Sequence, residues 1–415
     1  MTKKTIWLIN PSAMPPYKEQ RIQTLKRAEY LQKNGHNVYI IGGSYFHNTD
    51  INLITDKTLF IEKEYDGIKF IHVRNTTYLN STVLRIYSLL EFHLRLFKVA
   101  KFLSKPDVIS LYTTIPFSNL VYFLSKKLKA KLVLDVVDLW PESFVALGLV
   151  SKYNPILWFA YRAEKWVYKK ADKIVFSMEG GADYIKEKKW DTESGGPINL
   201  NKVKYINNGV DLNDFNNNKI NYTIDDADLN NESLFKVLYL GSIRLANGVE
   251  LILDAAKYLE HLPNIKFLVY GNGPERENLK KRIESENIKN VILKQEWVEI
   301  KYVPYILTKS SLNLLNYTKN PIFNFGGSQS KSFQYMASGK PIISNIKMAY
   351  CPIIKFNSGI AKEFNNVKEY SDAILSIYNL SESDYQELCN NALVASKKYD
   401  YEYLTNKYIE YCLNG

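Results

Sequence analysis

"FKVLYLGSIRLANGVELIL", residues 235–253, reads as an apolar strand, a glycine turn at Gly241, a loop carrying Arg244 and a helix from about Gly248. Strand, turn and helix in this order make half of a βαβ unit, so the question is whether its neighbours repeat the pattern. Downstream they do. "IKFLVYGNG" (265–273), "NVILKQ" (290–295), "SLNLLN" (311–316) and "KPIISN" (340–345) read as strands, with helical stretches at 248–260, 274–286, 331–338, 366–378 and 383–397.

Upstream the same rhythm appears a second time. "TIWLIN" (5–10), "NVYIIGGS" (37–44), "DGIKFIHV" (66–73), "DVISLY" (107–112), "KLVLDVV" (131–137), "ADKIVFS" (171–177) and "KVKYINNGVD" (202–211) read as strands. Helical spacing occupies 18–36, 83–104 and 117–128 between them. Asn34-Gly35 closes the first of these helices, and His36 reads as part of that stop. Parallel sheets covered on both faces are the expectation, in an α/β protein of two doubly wound domains. The Asn/Asp-rich stretch 213–233 reads as the linker between a first domain at 1–212 and a second at 234–398. A terminal helix over 399–415 is expected to return to the first domain. In such sheets a ligand lies outside the carboxyl ends of the strands, and with two domains in the cleft between them.

Length and composition agree. The 415 residues are enough for two cores, and 46% apolar with 23% charged residues excludes a disordered chain. Cys351, Cys389 and Cys412 have no C-x-x-C spacing, which excludes a disulfide framework or zinc site and fits a reducing cytoplasm. The apolar run near the N-terminus is too short for a signal peptide, and no run approaches the roughly 18 residues of a spanning helix. The net charge of +11 is uneven: residues 1–205 hold 31 Lys+Arg against 19 Asp+Glu, and the remainder is nearly balanced. That asymmetry points to an anionic partner for the first half.

Several residues could carry chemistry. Arg244, beside a helix start, suits a diphosphate, or is an exposed loop arginine. Gly271 and Gly273 open a helix after a strand, as a ligand loop or a structural turn; Arg276 replaces the third glycine of a dinucleotide fingerprint. Asp138 follows a buried strand, as a catalytic carboxylate or a cap. Asp226 and Asp228 read as a solvated charge run rather than a metal pair. The segment 81–105 is apolar, aromatic and basic, and suits either a membrane-facing helix or a core helix.

Eight stretches stand together in order: "GHNVYIIGGSYFH", "EYDGIKFIHV", "DVVDLWPESFVALGLVSK", "EKWVYKKADKIVFSMEG", "YINNGVD", "YLGSIRLANGVELILDAA", "YGNGPERENL" and "KSFQYMASGKPII". In this order and spacing the chain resembles bacterial family-four glycosyltransferases, most of all the capsule and O-antigen subgroup that includes N-acetylfucosamine transferases. The resemblance implies a GT-B fold, a nucleotide-sugar donor held by the second domain, an acceptor met by the first, retention at the anomeric carbon and no metal. It places Gly241 and Arg244 at the donor diphosphate, Gly271 and Gly273 near the nucleotide, and Asp138 and Glu142 on the acceptor side. Asn247 stands where many relatives carry a lysine. Most of the family has two glutamates at the positions of Gly326 and Gln334, and neither is a carboxylate here. Lys331 matches the subgroup's lysine, and Gly327 and Ser328 complete the donor loop.

The expected function is therefore transfer of an N-acetylated hexosamine from a UDP-sugar to a lipid-diphosphate-linked or saccharide acceptor in cell-surface polysaccharide biosynthesis. Arg244 and Lys331 would meet the leaving diphosphate, and Asp138 would orient or deprotonate the acceptor. No cofactor or nucleic acid is expected. The first domain is expected to bind the anionic inner face of the cell membrane through 81–105 and "RAEKWVYKK" (162–170). The missing glutamates leave open a catalytically silent nucleotide-sugar-binding or scaffold protein.

Overall fold

The structure, a computed structural model, describes residues 2–19, 22–112 and 116–414. The chain divides into two compact units, Met1–Asn207 with Leu404–Gly415, and Asn208–Tyr403.

The first unit has eight strands: β1 (Thr5–Ile9), β2 (Asn37–Gly43), β3 (Phe60–Tyr65), β4 (Ile68–Val73), β5 (Val108–Tyr112), β6 (Lys131–Val136), β7 (Lys173–Phe176) and β8 (Val203–Tyr205). They lie in the order β3-β4-β2-β1-β5-β6-β7-β8. Its helices are α1 (Gln23–Lys33), α2 (Thr82–Val99), α3 (Ser118–Leu128), α4 (Glu142–Ala146), α5 (Pro155–Lys170) and α6 (Gly181–Glu187). The helix expected over 18–36 is α1; Gln20 and Arg21 lie outside the described residues. Gly35 takes a positive φ of 84° after it, and His36 Nδ1 accepts from the Lys4 amide at 3.3 Å. One strand was not expected. β3, with Glu62, Lys63 and Glu64 exposed, pairs antiparallel with β4 at the sheet edge, where charge is tolerated and the apolar signal is lost.

The second unit contains β9 (Phe235–Leu240), β10 (Ile265–Tyr270), β11 (Val291–Leu293), β12 (Leu312–Leu315), β13 (Ile342–Ser344) and β14 (Gly359–Ala361), all parallel, in the order β11-β10-β9-β12-β13-β14. Its helices are α7 (Leu212–Asn221), α8 (Ala227–Asn230), α9 (Glu250–Tyr258), α10 (Arg276–Ser285), α11 (Val303–Lys309), α12 (Ser330–Ala337), α13 (Pro352–Lys355), α14 (Val367–Tyr378) and α15 (Glu382–Lys398). Alternate residues of a strand face opposite layers. Val237, Tyr239, Phe267 and Val269 pack with Ile252 and Leu253 of α9, whereas Leu238, Leu268 and Tyr270 pack with Phe333 and Met336 of α12.

The stretch read as a linker is folded. Asp211 accepts from the Asp214 amide at 2.9 Å to cap α7, Asp226 caps α8 through the Leu229 amide, and Phe215 and Leu229 are buried. Asn and Asp are helix-capping residues as much as loop residues, so composition alone misreads them. A last helix, α16 (Tyr401–Tyr408), runs across the division between the units. In the first unit its Tyr408 is buried beneath the Arg27 guanidinium, which pairs with the buried Asp135. The three cysteines are free and buried.

Candidate functional site

In the second unit, β9 ends at Leu240 and the chain turns at Gly241, with φ +154°. A methyl group on Gly241 would lie 2.2 Å from Lys331 Nζ, so the lysine side chain crosses the bare backbone there. Gly271 and Gly273 serve the same packing from the neighbouring turn. Added Cβ atoms would lie 2.0 Å from the Gly241 carbonyl and 2.1 Å from the Ile243 carbonyl. Both glycines therefore let two loops at the carboxyl ends of β9 and β10 pack back to back. Arg276, in the place of a third glycine, donates to the Gly271 and Lys294 carbonyls at 2.6 and 2.7 Å and fixes the second loop.

Lys331 is the second residue of α12 and half-buried. It donates to Tyr239 Oη at 3.2 Å, with Nζ 4.8 Å from the ring centroid, and Tyr239 passes the chain of bonds on to the Ser242 carbonyl. Among the described residues no carboxylate pairs with it, and burial pushes its pKa down to about 8. Arg244 is exposed on the next loop, also without an ion-pair partner among the described residues. Asn247 is buried and donates to the Ser242 carbonyl at 2.6 Å and hydroxyl at 2.9 Å, so its amide braces the loop from within.

Gly326, with φ 89°, ends a short turn and begins the loop into α12. Gly327 follows, and Ser328 Oγ accepts from the Asn208 amide at 3.2 Å. Gln329 gives α12 no side-chain cap, the Ser332 amide donates to the Gln329 carbonyl at 3.0 Å, and the positive end of the helix dipole lies beside the Lys331 cation. Gln334 lies one turn on, half-buried, on the same helix face as Lys331. The structure thus gathers Gly241, Gly271, Gly273, Arg244 and Lys331 around one end of the sheet, followed along α12 by Gln334. Tyr239 and Tyr335 were missed from sequence because each looks like core. Tyr335 Oη, however, donates to the Leu240 carbonyl at 3.2 Å and seats α12 against β9.

Asp226 and Asp228 do not form a solvated run. Both pair with Lys294 Nζ at 2.7 Å, with Lys294 and Asp226 largely buried and Asp228 partly exposed, and the cluster ties α8 to the end of β11. Among the described residues no group of three His, Cys, Asp or Glu side chains could hold a metal.

In the first unit, Asp138 is exposed two residues past β6. Glu142 starts α4, accepts from Tyr161 Oη at 2.7 Å and pairs with Lys188 at 2.5 Å. Below it Glu164 is buried, accepts from Tyr184 Oη at 2.8 Å, and is pushed by burial to a pKa of about 8. Glu142 is thus part of a structural network as well as a neighbour of Asp138 in sequence.

Residues 222–393 match the family model for glycosyl transferases group 1. The match takes in most of the second unit. No curated protein matches the chain in sequence. Solved structures extend the likeness over both units. Sucrose-phosphate synthase from Thermosynechococcus elongatus is 16% identical over 98% of each chain, with a TM-score of 0.69. A glycosyltransferase from Rickettsia africae is 17% identical over 100% of each, with a TM-score of 0.67. The Anabaena protein HepE in complex with UDP-glucose is 14% identical over 98% of each, with a TM-score of 0.65. At these identities the likeness shows the fold, which is that of GT-B glycosyltransferases. The matched stretch holds every residue expected at the donor.

Proposed function

We propose that the chain moves a sugar from a UDP-sugar, an N-acetylated hexosamine, to a lipid-diphosphate-linked saccharide acceptor in cell-surface polysaccharide assembly. The transfer proceeds with retention at the anomeric carbon, without a metal, at the anionic inner face of the cell membrane. One observation carries the reading: Lys331 and Arg244 flank the carboxyl end of β9 beside the start of α12, with no carboxylate paired to either among the described residues. Without a metal, charge that develops on a departing diphosphate must be met by protein cations and amide dipoles, and these groups supply both. HepE was solved with UDP-glucose, which agrees with a uridine nucleotide here. Asp138 orients the acceptor hydroxyl or takes its proton.

Arg244→Ala tests the assignment. Turnover across a panel of UDP-sugars should fall on the order of 10²-fold or more, as when one preorganised stabilising donor is lost. Turnover equal to that of the parent enzyme would remove Arg244 from the donor site.

A second reading comes from Gly326 and Gln334, which put no carboxylate where the resemblance leads one to expect two. On that reading the chain holds a nucleotide-sugar without transferring it. UDP binding by calorimetry, with neither hydrolysis nor transfer from any donor tried, would favour it; transfer from a purified donor would end it.

A further inference from the structure

The chain enters α2 from β4, α3 from β5, and α5 from β6 by way of α4. All three connections step the same way across the sheet, and crossovers of one hand and one direction place their helices on one face. The contacts agree: α2 packs on α3, and α3 packs on α5, where Tyr122 and Phe123 meet Trp166. Because each helix follows a strand, all three begin at the carboxyl end of the sheet, the end that carries Asp138.

That end of the helical layer is apolar and exposed. At the start of α2, Val83 is 76% exposed, and Leu79, Ile86 and Tyr87 are exposed beside it. On the approach to α5 and in its first turns, Tyr153 is 81%, Ile156 71% and Phe159 66% exposed, with Leu149 and Trp158 exposed among them. Farther along the same helices most apolar side chains turn inward: Phe92, Leu96, Val99, Val167 and Tyr168 are buried. Leu94, Phe102 and Phe123 are also exposed, each apart from the others, whereas at this end ten apolar side chains from Leu79–Tyr87 and Leu149–Phe159 are exposed in two segments, and that density marks an interaction face rather than scattered surface residues.

Charge says which partner. The segment 144–170 holds Lys152, Arg162, Lys165, Lys169 and Lys170, and its one acid, Glu164, is buried. The Arg162 guanidinium lies 4.2 Å from the Trp158 ring centroid, and Lys152 Nζ lies 5.0 Å from that of Tyr153. Tyr and Trp with adjoining cations are the side chains that settle at the boundary of acyl chains and anionic headgroups. A second copy of the chain would instead bring cations against cations.

We propose that residues 79–87 and 149–159 form one insertion face that seats the first unit in the headgroup layer of an anionic membrane. The inference gives the membrane reading above its surface, and rests on that reading for its purpose. It also replaces part of the surface expected from sequence. Arg95 is committed to Glu91 and to the Arg74 carbonyl, and Lys98, Lys101 and Lys105 lie at the far end of α2. No helix among the described residues is long and apolar enough to cross a membrane, so the face lies in the surface plane.

Flotation of the full chain with vesicles tests the face. Vesicles containing phosphatidylglycerol should carry the chain, those of phosphatidylcholine alone far less. Part of the binding should survive salt well above physiological strength, because inserted side chains are not screened as charges are. Ile156→Glu with Phe159→Glu should lower the bound fraction at least about tenfold, since two charges enter a face that must bury apolar groups. The same variant should keep the parent's circular dichroism and melting profile, which shows that both units are folded, and should bind UDP like the parent. Lys98→Gln with Lys101→Gln and Lys105→Gln should float unchanged. Flotation of the Ile156→Glu/Phe159→Glu variant at the parent level, or no flotation of the parent, would overturn the proposal. So would a dimer in sedimentation that this variant dissolves, because the face would then belong to a second copy. Loss of UDP binding with flotation intact would strike the donor reading and leave this face standing.

Discussion

Past β6 the first unit presents Asp138 to solvent and sets Glu142 against Tyr161 and Lys188. Past β9 the second unit presents Arg244 and lays Lys331 along Gly241 against Tyr239, with no carboxylate on either cation among the described residues. Both stretches follow the carboxyl end of a parallel strand, yet one carries a carboxylate and the other cations. On the proposed function, the acidic end would meet a hydroxyl that must lose a proton and the basic end a leaving group that gains negative charge. The fold supplies the position, and a few side chains decide the sign.

The largest effect should come from breaking the acidic side. Asp138→Asn keeps the shape and removes the charge, so turnover should fall about 10²-fold or more, in the range of a lost general base. Because Asp138 is exposed, the melting temperature should stay within about one degree. Full turnover in that variant would leave the first unit without its proposed proton acceptor and erase the contrast between the sheets.

A titration sharpens the basic side. Burial lowers the Lys331 pKa to about 8, so in the free domain the side chain is charged below that pH and loses its proton as pH rises through it. A bound diphosphate favours the charged form. UDP affinity should therefore be highest below pH 8 and decline above it by up to about tenfold per pH unit. Lys331→Arg, which stays charged, should flatten the curve. A dissociation constant independent of pH between 7 and 9.5 in the parent would mean that the ammonium does not meet the phosphates.

The smallest expected effect concerns Gln334. A carboxylate there would accept a ribose hydroxyl more strongly than a neutral amide, by about 1 kcal/mol, or roughly fivefold in UDP affinity. Calorimetry on Gln334→Glu measures it. Unaltered or weaker affinity would place the ribose elsewhere and leave the two sheet ends differing only through Arg244 and Lys331.

How much of this is legible in the sequence varies with the range of the interaction. Apolar runs such as "KVLYL" and "KFLVY" mark β9 and β10 because a parallel strand buries both faces. The edge strands carry too little of that signal, β3 because Glu62, Lys63 and Glu64 are exposed and β14 because it is three residues long. Segment 81–105 left a core helix and a membrane helix both open, and the folded α2 is a core helix over its later turns with an exposed apolar start. Phe92, Leu96 and Val99 face the core at helical spacing, while Val83, Ile86 and Tyr87 at its start face out.

By itself, then, the sequence determined the two doubly wound halves, the glycines that bring the β9 and β10 turns together, and the presence of cations at 244 and 331. Those come from local pattern: the periodicity of burial, the freedom of glycine, and charge beside a helix start. The tertiary structure decided the partners. It put Tyr239 beneath Lys331 across 92 residues, Lys188 against Glu142 across 46, and Lys294 between Asp226 and Asp228 across 68 and 66. It also decided that Asn247 turns inward and that the apolar starts of α2 and α5 share one end of a layer. Pairings of this kind depend on which residues the sheet order brings within a few ångströms, and no spacing along a chain encodes that distance.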